Sequence, residues 1–535
     1  MKLNIVNWVL LAGMWYRILV AVAAGILASL SLAPFHYFPV LFVSFPVLVL
    51  LIDGVIASRA KPWWQVFVTG YCFGCGYFGA GLSWIGLGLL RGTLEHIPHL
   101  PVFVACLVIV LLPLSLAVFT GLGVFIAGLL WRPVPSRIFA LALGLALSDY
   151  LRGTLLSSFP WNSFGYGLAS NLVFMQPAAL FGIYGMSWLA VLVGSAPVLL
   201  CTGDKRSMRT CLSIAGVFAL LCIGSSLYLS VNVVDVVPRV RVKLVQPNID
   251  RFVLGKDSLD SISRLFSMTF DNDDTREPGE GITHVVWPES VFPISKYNSS
   301  LLEVVKKRLP DGVRLITGGT RVVEQWPGAN EKQIFNSVLV LNGDGNVESV
   351  YDKTRLVPFG EYLPLRRWFS WMGVDDFLFP LRDFSWGYDK QRLLPVYGIG
   401  HVVPSICYEI IFPDIFSHEE RGNLIINVTS DTAFNMTIGP WQHLHQARLR
   451  AVERGLPLFR VANRGISAVF DGNGRILAAS LPGKESVLST KLPVALKRTP
   501  YVIFGNYAFF VLLLVSLVMV VCDRGSTVIR GYRSG

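Results

Sequence analysis

The feature that most constrains this chain is the placing of its apolar runs. Seven lie before residue 232, one closes the chain, and a long stretch of mixed composition separates them. A helix needs about twenty apolar residues to cross a bilayer core. Candidate spans are 18–32, 39–56, 66–87, 101–129, 138–151, 172–201, 212–231 and 502–522. The first and fifth need extension into their flanks. The fourth and sixth are long enough to tilt, or to kink at Pro113 and Pro177. The expectation is a polytopic α-helical membrane domain of about eight spans.

Composition agrees. Of the 535 residues, 53% are hydrophobic and 15% charged, against about 25% charged in ordinary soluble domains. The runs divide the chain into a membrane domain of about seven helices (1–236), a soluble domain long enough for one full core (237–499), and a closing helix with its tail (500–535). The first run lacks a convincing cleavage site and reads as a retained helix. The net charge of +11 gathers at the span ends and accompanies no recognised binding motif, so no nucleic-acid partner is expected.

Lysine and arginine positions orient the spans. With the N-terminus in the cytoplasm, cytoplasmic ends carry Lys2, Arg17, Arg59, Lys61, Arg132, Arg137, Lys205, Arg206, Arg209, Arg524, Arg530 and Arg533. The opposite short loops hold only Arg91 and Arg152. Twelve against two is the bias of cytoplasmic loops. Seven preceding spans then place the soluble domain outside the cytoplasm, with both termini inside.

Of eight cysteines, all but Cys407 lie in the apolar runs or at their edges. Cys72-Phe-Gly-Cys75 has the spacing of a redox or metal pair, but glycines and aromatics around it indicate helix packing. A lone cysteine in an oxidising compartment cannot form an internal disulfide, which makes Cys407 a candidate for chemistry.

In the soluble stretch, 240–246, 284–287, 313–317, 401–406 and 424–428 read as buried strands. Segments 337–341 and 347–351 flank Asn-Gly-Asp-Gly, a hairpin signal. A period near 3.6 predicts a helix over 440–454, and 458–461 and 466–471 lead into a second turn, Asp471-Gly-Asn-Gly474. Such a mixture predicts helices layered on sheets, an α/β sandwich. No glycine-rich phosphate loop stands at a strand–helix junction, which argues against nucleotide binding.

Three motifs each follow a predicted strand. In His284-Val-Val-Trp-Pro-Glu-Ser290, burial raises a carboxylate's pKa and makes Glu289 a usable base, while a surface-turn glutamate is the plainer reading. In Tyr351-Asp-Lys-Thr-Arg-Leu-Val-Pro-Phe-Gly-Glu-Tyr362, Lys353 is placed to stabilise an oxyanion, with Glu361 beside it; the alternative is a solvated lysine. In Pro404-Ser-Ile-Cys-Tyr-Glu409, Cys407 reaches the end of a strand, where it is either a nucleophile or a structural thiol. Tyr408 and Glu409 are candidate supporting residues. Separations of 64 and 54 residues leave any triad to the fold. His443 and His445 are two apart on the predicted helix, whereas a metal pair on a helix wants four, so no metal site is expected.

Together the motifs resemble the carbon–nitrogen hydrolase (nitrilase) superfamily, through Trp287-Pro-Glu289, Lys353 in its Tyr-x-Lys run and Cys407-Tyr-Glu409. The membrane context narrows this to the bacterial apolipoprotein N-acyltransferase family, to which Leu356-Val-Pro-Phe-Gly-Glu-Tyr-Leu-Pro364, Phe159-Pro-Trp-Asn-Ser-Phe-Gly-Tyr166 and a Ser-Leu-Ala-Pro-Phe stretch near the first span are similar. The resemblance implies an αββα sandwich outside the inner membrane and a Glu289–Lys353–Cys407 triad. It also implies acyl transfer from a phospholipid, through a cysteine thioester, to the amine of a diacylglyceryl-cysteine apolipoprotein, without a cofactor. On this reading Glu361 and Glu409 orient the lysine. Trp161 either walls the lipid site or anchors at the interface. The sequence departs from the family at Ala433 and Asn435, within Ser430-Asp-Thr-Ala-Phe-Asn435, and at Gln246-Pro-Asn248. A membrane-tethered amidase or nitrilase, and a transporter with an accessory domain, are the rival readings.

Overall fold

The computed structural model describes residues 13–58, 63–95, 102–132, 135–155, 158–249, 256–271, 281–293, 299–324, 332–373, 383–388, 393–414, 422–434 and 437–523. The chain forms two compact units, one of 1–87, 102–232 and 500–535, the other of 88–101 and 233–499.

The first unit is helical. Among the described residues, five helices are long and apolar enough to cross a membrane: Phe38–Ile56, Trp63–Leu90, Cys106–Leu129, Ala178–Cys201 and Lys205–Val231. Met14–Ser29 and Tyr507–Cys522 are shorter apolar helices. Arg137–Thr154 is also helical, but Arg137, Asp149 and Arg152 are buried along it. The expected run 172–201 is not one helix. A single turn, Leu172–Met175, precedes Pro177, which begins a new helix, and Gly182 departs from helical geometry at φ 63°. Pro113 lies within an uninterrupted helix, Val102–Leu129.

Charged side chains tie segments of this unit together. Asp53 accepts from the Trp131 indole at 2.8 Å and pairs with Arg137 at 3.3 Å. Asp523 pairs with Arg206 and accepts the Ser136 N–H at 3.2 Å. Lys2, Arg59, Lys61, Arg524, Arg530 and Arg533 lie outside the described residues. The Phe159–Tyr166 run is held from beneath. Arg152 donates to the carbonyls of Phe159 and Trp161, and Asp149 accepts from Arg152, from the Phe164 N–H and from Ser187, each at 2.8 Å. These partners satisfy a buried ion pair that would otherwise be costly.

The second unit holds two six-stranded sheets. One has the order β12-β1-β2-β3-β4-β5, from β1 (Val236–Gln246), β2 (His284–Trp287), β3 (Arg314–Glu324), β4 (Lys332–Leu341), β5 (Val347–Asp352) and β12 (Ser486–Pro493). The other has the order β11-β10-β9-β8-β7-β6, from β6 (Leu394–Val396), β7 (Gly400–Ile406), β8 (Leu424–Ser430), β9 (Leu458–Asn463), β10 (Ala468–Phe470) and β11 (Ile476–Ala479). In each sheet the central three strands are parallel and the flanking pairs antiparallel. Strands buried on both faces are rich in apolar residues, as β2 is in Val285, Val286 and Trp287 and β8 in Leu424, Ile425 and Ile426.

One core joins the sheets, with Val242, Val286, Ile316 and Val338 from the first meeting Val402, Ile426, Phe459 and Val461 from the second. A second core lies between the first sheet and the helices Lys256–Phe270 and Ser299–Arg308, where Trp287 meets the edge of Phe266 at 4.9 Å. Full burial of such side chains contributes about 1.5–3 kcal/mol each. Helix Gly439–Arg454 contributes a largely buried face and ends at Gly455, whose φ of 64° suits a left-handed cap. Both turn signals hold. Asn342 Oδ1 accepts the Asp344 and Asn346 N–H groups, and Asp471 Oδ1 accepts those of Asn473 and Arg475.

Candidate active site

Ligands of open α/β sheets gather at the carboxyl ends of their strands, and the candidate residues stand there. Glu289 follows β2, Lys353 follows β5 and Cys407 follows β7. The turn bearing Glu289 lies against β3, where a Cβ on Gly318 would come within 2.5 Å of the Glu289 Cα. Only glycine admits that approach, and the Gly318 carbonyl accepts the N–H groups of Val291 and Phe292.

Lys353 is buried, with its ammonium 2.8 Å from Glu361 Oε1 and 3.5 Å from Glu289 Oε1. Burial works against that charge, but Glu361 and Glu289 outweigh it and hold the ammonium above the ordinary lysine range. Burial pushes the Glu289 carboxyl up while Lys353 pulls it down, and the net shift is upward. Its Oε2 accepts the Ser430 N–H at 2.7 Å. Asn336 donates through Nδ2 to both Glu289 and Glu361 at 2.8 Å, spacing the two carboxylates. Val357 N–H fixes the other Glu361 oxygen at 2.8 Å.

Cys407 sits at the rim of the core between the sheets, with φ 50°. A left-handed backbone costs a non-glycine residue about 1–2 kcal/mol, and such strain clusters at functional sites. Burial first, then Glu289, push the thiol above its ordinary range, and Lys353 opposes them. Glu409 is fully buried and accepts from Tyr351 Oη, Thr354 Oγ1, and the N–H groups of Thr354, Arg355 and Ile406. It therefore orients the backbone beside Lys353 rather than binding the ammonium. Tyr408 is buried, its ring edge-on to Phe412 at 5.0 Å.

The structure thus brings Glu289, Lys353, Glu361, Cys407, Tyr408 and Glu409 into one unit. Trp161 belongs to the other, where its ring is buried near Trp84 and Phe159. Exposed interfacial anchoring therefore does not describe it. His443 is buried and reaches the Cys407 carbonyl, and His445 is buried on the same helix. Ala433 is exposed on a single turn, Thr432–Phe434, and Asn435 lies outside the described residues. Gln246 accepts through Oε1 from Ser467 and Ser480 and donates to the Leu481 and Lys484 carbonyls. It is a clamp between β1 and the opposite sheet. Sequence reasoning missed Asn336, Asp431 and Arg460. The signal available was a polar side chain inside an apolar strand, as Arg460 is in β9.

Fold and site define a membrane-associated chain with a carbon–nitrogen hydrolase domain. Residues 312–500 match the family model for carbon-nitrogen hydrolase, and residues 24–196 match the apolipoprotein N-acyltransferase N-terminal domain. An apolipoprotein N-acyltransferase of Rhodopseudomonas palustris is 37% identical over 97% of this chain and 98% of its own. That of Bradyrhizobium diazoefficiens is 36% identical over 95% of each chain, and that of Allorhizobium ampelinum 39% identical over 89% and 90%. Among solved structures, an amidase from Nesterenkonia sp. AN1 covers 52% of this chain and 98% of its own at 16% identity and a TM-score of 0.36, a likeness too slight to reason from. The chain belongs to the apolipoprotein N-acyltransferase family.

Proposed function

We propose that this enzyme moves a fatty acyl chain from a phospholipid, through a thioester on Cys407, to the N-terminal amine of a diacylglyceryl-cysteine apolipoprotein. The observation that carries the reading is the buried Lys353 ammonium, set between Glu289 and Glu361 and within electrostatic reach of Cys407. In the first step Glu289 takes the thiol proton as sulfur attacks the ester carbonyl. Lys353 and backbone donors near Cys407 stabilise the tetrahedral oxyanion. The glyceryl oxygen leaves with the proton from Glu289, and the acyl thioester remains. The acceptor amine then attacks the thioester, Glu289 takes its proton, and the Cys407 thiolate leaves and is reprotonated.

A thiol held above its ordinary range is protonated at rest, so proton transfer accompanies attack. Glu361 and Glu409 act as positioning residues, one on the ammonium and one on the neighbouring backbone. Tyr408 packs the turn that carries the nucleophile. Trp161 is assigned to the wall of the lipid path in the membrane unit.

The same reading has domains at 1–236, 237–499 and 500–535, an αββα catalytic layer outside the cytoplasmic membrane, eight spans and both termini inside. The pairs Asp53–Arg137 and Asp523–Arg206 support it, since they join segments counted on one side. Single cysteines at Gly203 and Gly483 separate the sides: an impermeant maleimide on intact cells is expected to label only the second.

The reaction is tested with full-length enzyme in mixed micelles, a phospholipid and a synthetic diacylglyceryl-cysteine peptide. One added acyl chain on the peptide amine is expected by mass spectrometry. Release of free fatty acid, or of ammonia from small amides, with the peptide unchanged would favour the hydrolase reading.

A further inference from the structure

The main-chain oxygen of Cys407 is held by a buried polar network that the acyl chemistry above does not use. His443, on helix Gly439–Arg454, is fully buried, with Nε2 3.1 Å from that oxygen. A carbonyl only accepts, so Nε2 carries the hydrogen and donates it. The other ring nitrogen, Nδ1, is 3.0 Å from Asp431 Oδ1 and 3.0 Å from an Arg460 terminal nitrogen. Asp431 bridges the two, meeting His443 Nδ1 through Oδ1 and Arg460 through Oδ2, so the imidazole is tied to the guanidinium.

Arg460, also fully buried, donates to Asp431 Oδ2 at 2.8 Å, Asn427 Oδ1 at 2.5 Å and the Ile466 carbonyl at 3.3 Å. Because Asn427 Oδ1 accepts from Arg460, its Nδ2 faces the Ser405 carbonyl at 3.2 Å and the Cys407 carbonyl at 3.5 Å. One guanidinium therefore orients both donors that converge on a single carbonyl. Space for this is specific: a Cβ on Gly465 would fall 2.1 Å from Asp431 Oδ2. The edge of Phe434 meets the imidazole at 5.7 Å.

That carbonyl belongs to a residue with φ 50° at the start of a short 3-10 turn, Cys407–Ile411, just past the end of β7. No sheet ladder fixes its peptide plane. Holding the oxygen fixes ψ, and with φ already set this decides where the Cα–Cβ bond points and so which positions the χ1 rotamers offer to sulfur. We infer that His443 is a positioning residue for the acyl-transfer reaction. By donating its Nε2 hydrogen to the Cys407 carbonyl, with Arg460 behind it, it locks the left-handed backbone that aims Sγ between Glu289 and Lys353. The inference rests on the reading of Cys407 as nucleophile.

The test uses full-length wild type, His443→Gln and His443→Asn in phospholipid micelles. It reads the single-turnover rate of acyl-Cys407 formation, the KM for phospholipid and the melting temperature. A Gln amide nitrogen reaches the place of Nε2, whereas an Asn amide nitrogen reaches only that of Nδ1. H443Q is expected to stay within about tenfold of wild type and H443N to fall roughly a hundredfold, with KM little changed. Equal rates in the two variants, whether high or low, would overturn the inference. If H443N does not fold, H443Q decides alone: near-wild-type rates uphold the donor role, and a hundredfold loss at unchanged melting temperature contradicts it. A wild type that forms no Cys407 adduct instead overturns the reading of Cys407 itself.

Discussion

Glu409 accepts the backbone N–H of Thr354 at 2.7 Å, across 55 residues of sequence. Through its other oxygen it accepts the N–H of Ile406 at 2.8 Å. One buried carboxylate therefore fastens the residue after Lys353 to the residue before Cys407. Chemistry that needs a cation beside a thiol is held in register by this link, because neither residue touches the other through a regular ladder.

Replacing Glu409 by Gln turns one acceptor oxygen into a donor facing N–H groups. The expected cost is about 2–4 kcal/mol of stability, from lost charge-assisted hydrogen bonds and a buried donor left unmet. Thermal melting in detergent, read beside the rate of thioester formation, checks this. A melting temperature unchanged from wild type would remove Glu409 from the role of strut.

Burial holds the Glu289 carboxyl above its ordinary 4.5. The base works only when ionised, so the acid limb of kcat/KM is expected above pH 4.5. Folded Glu289 binds more protons than unfolded Glu289 in that window. Its contribution to stability is therefore greatest below pH 4.5 and declines as pH rises through the folded value. Lys353, raised above 10.5, stays charged and contributes no alkaline limb below that pH. A pH–rate profile with its acid limb at or below 4.5 contradicts this arrangement.

The Cys407 thiol, raised by burial and by Glu289, is expected to resist alkylation at neutral pH. Iodoacetamide labelling followed by peptide mass spectrometry should accelerate only above pH 9.0, the ordinary thiol value. A midpoint near neutrality would mean that a thiolate is already formed at rest.

In the membrane unit, Asp149→Asn removes the charge beside buried Arg152 and weakens the anchor of the Phe159–Tyr166 run. Breaking one partner of a buried pair typically costs about 3–5 kcal/mol. Melting of the purified protein in detergent measures it. A change below about 1 kcal/mol would show that the pair is dispensable.

How far the sequence led depended on which force was writing the pattern. β2 coincides with the expected 284–287, because a strand buried on both faces is mostly apolar, as Val285, Val286 and Trp287 are. The hairpin Asn342–Gly345 was legible because its left-handed glycine, at φ 79°, has a local cause. β12 went unread, since its alternating exposure admits Ser, Thr and Lys between apolar residues. The break inside 172–201 was only half visible: Pro177 marked it, while Gly182 did not. At the site, Glu289, Lys353 and Cys407 each carried a motif, but Asn336, His443 and Arg460 did not. Their roles depend on long-range hydrogen bonds, and polar residues far apart in sequence look like solvated surface until the fold buries them.

Acyl transfer through Cys407 leaves a covalent adduct on the enzyme that can be seen directly. Membranes containing the full-length enzyme, incubated with phospholipid labelled in its acyl chain and no acceptor, are to be resolved on a denaturing gel with and without neutral hydroxylamine. Wild type is expected to hold a label that hydroxylamine removes, and Cys407→Ala none. A hydroxylamine-sensitive label of equal strength on the Cys407→Ala protein would contradict the account.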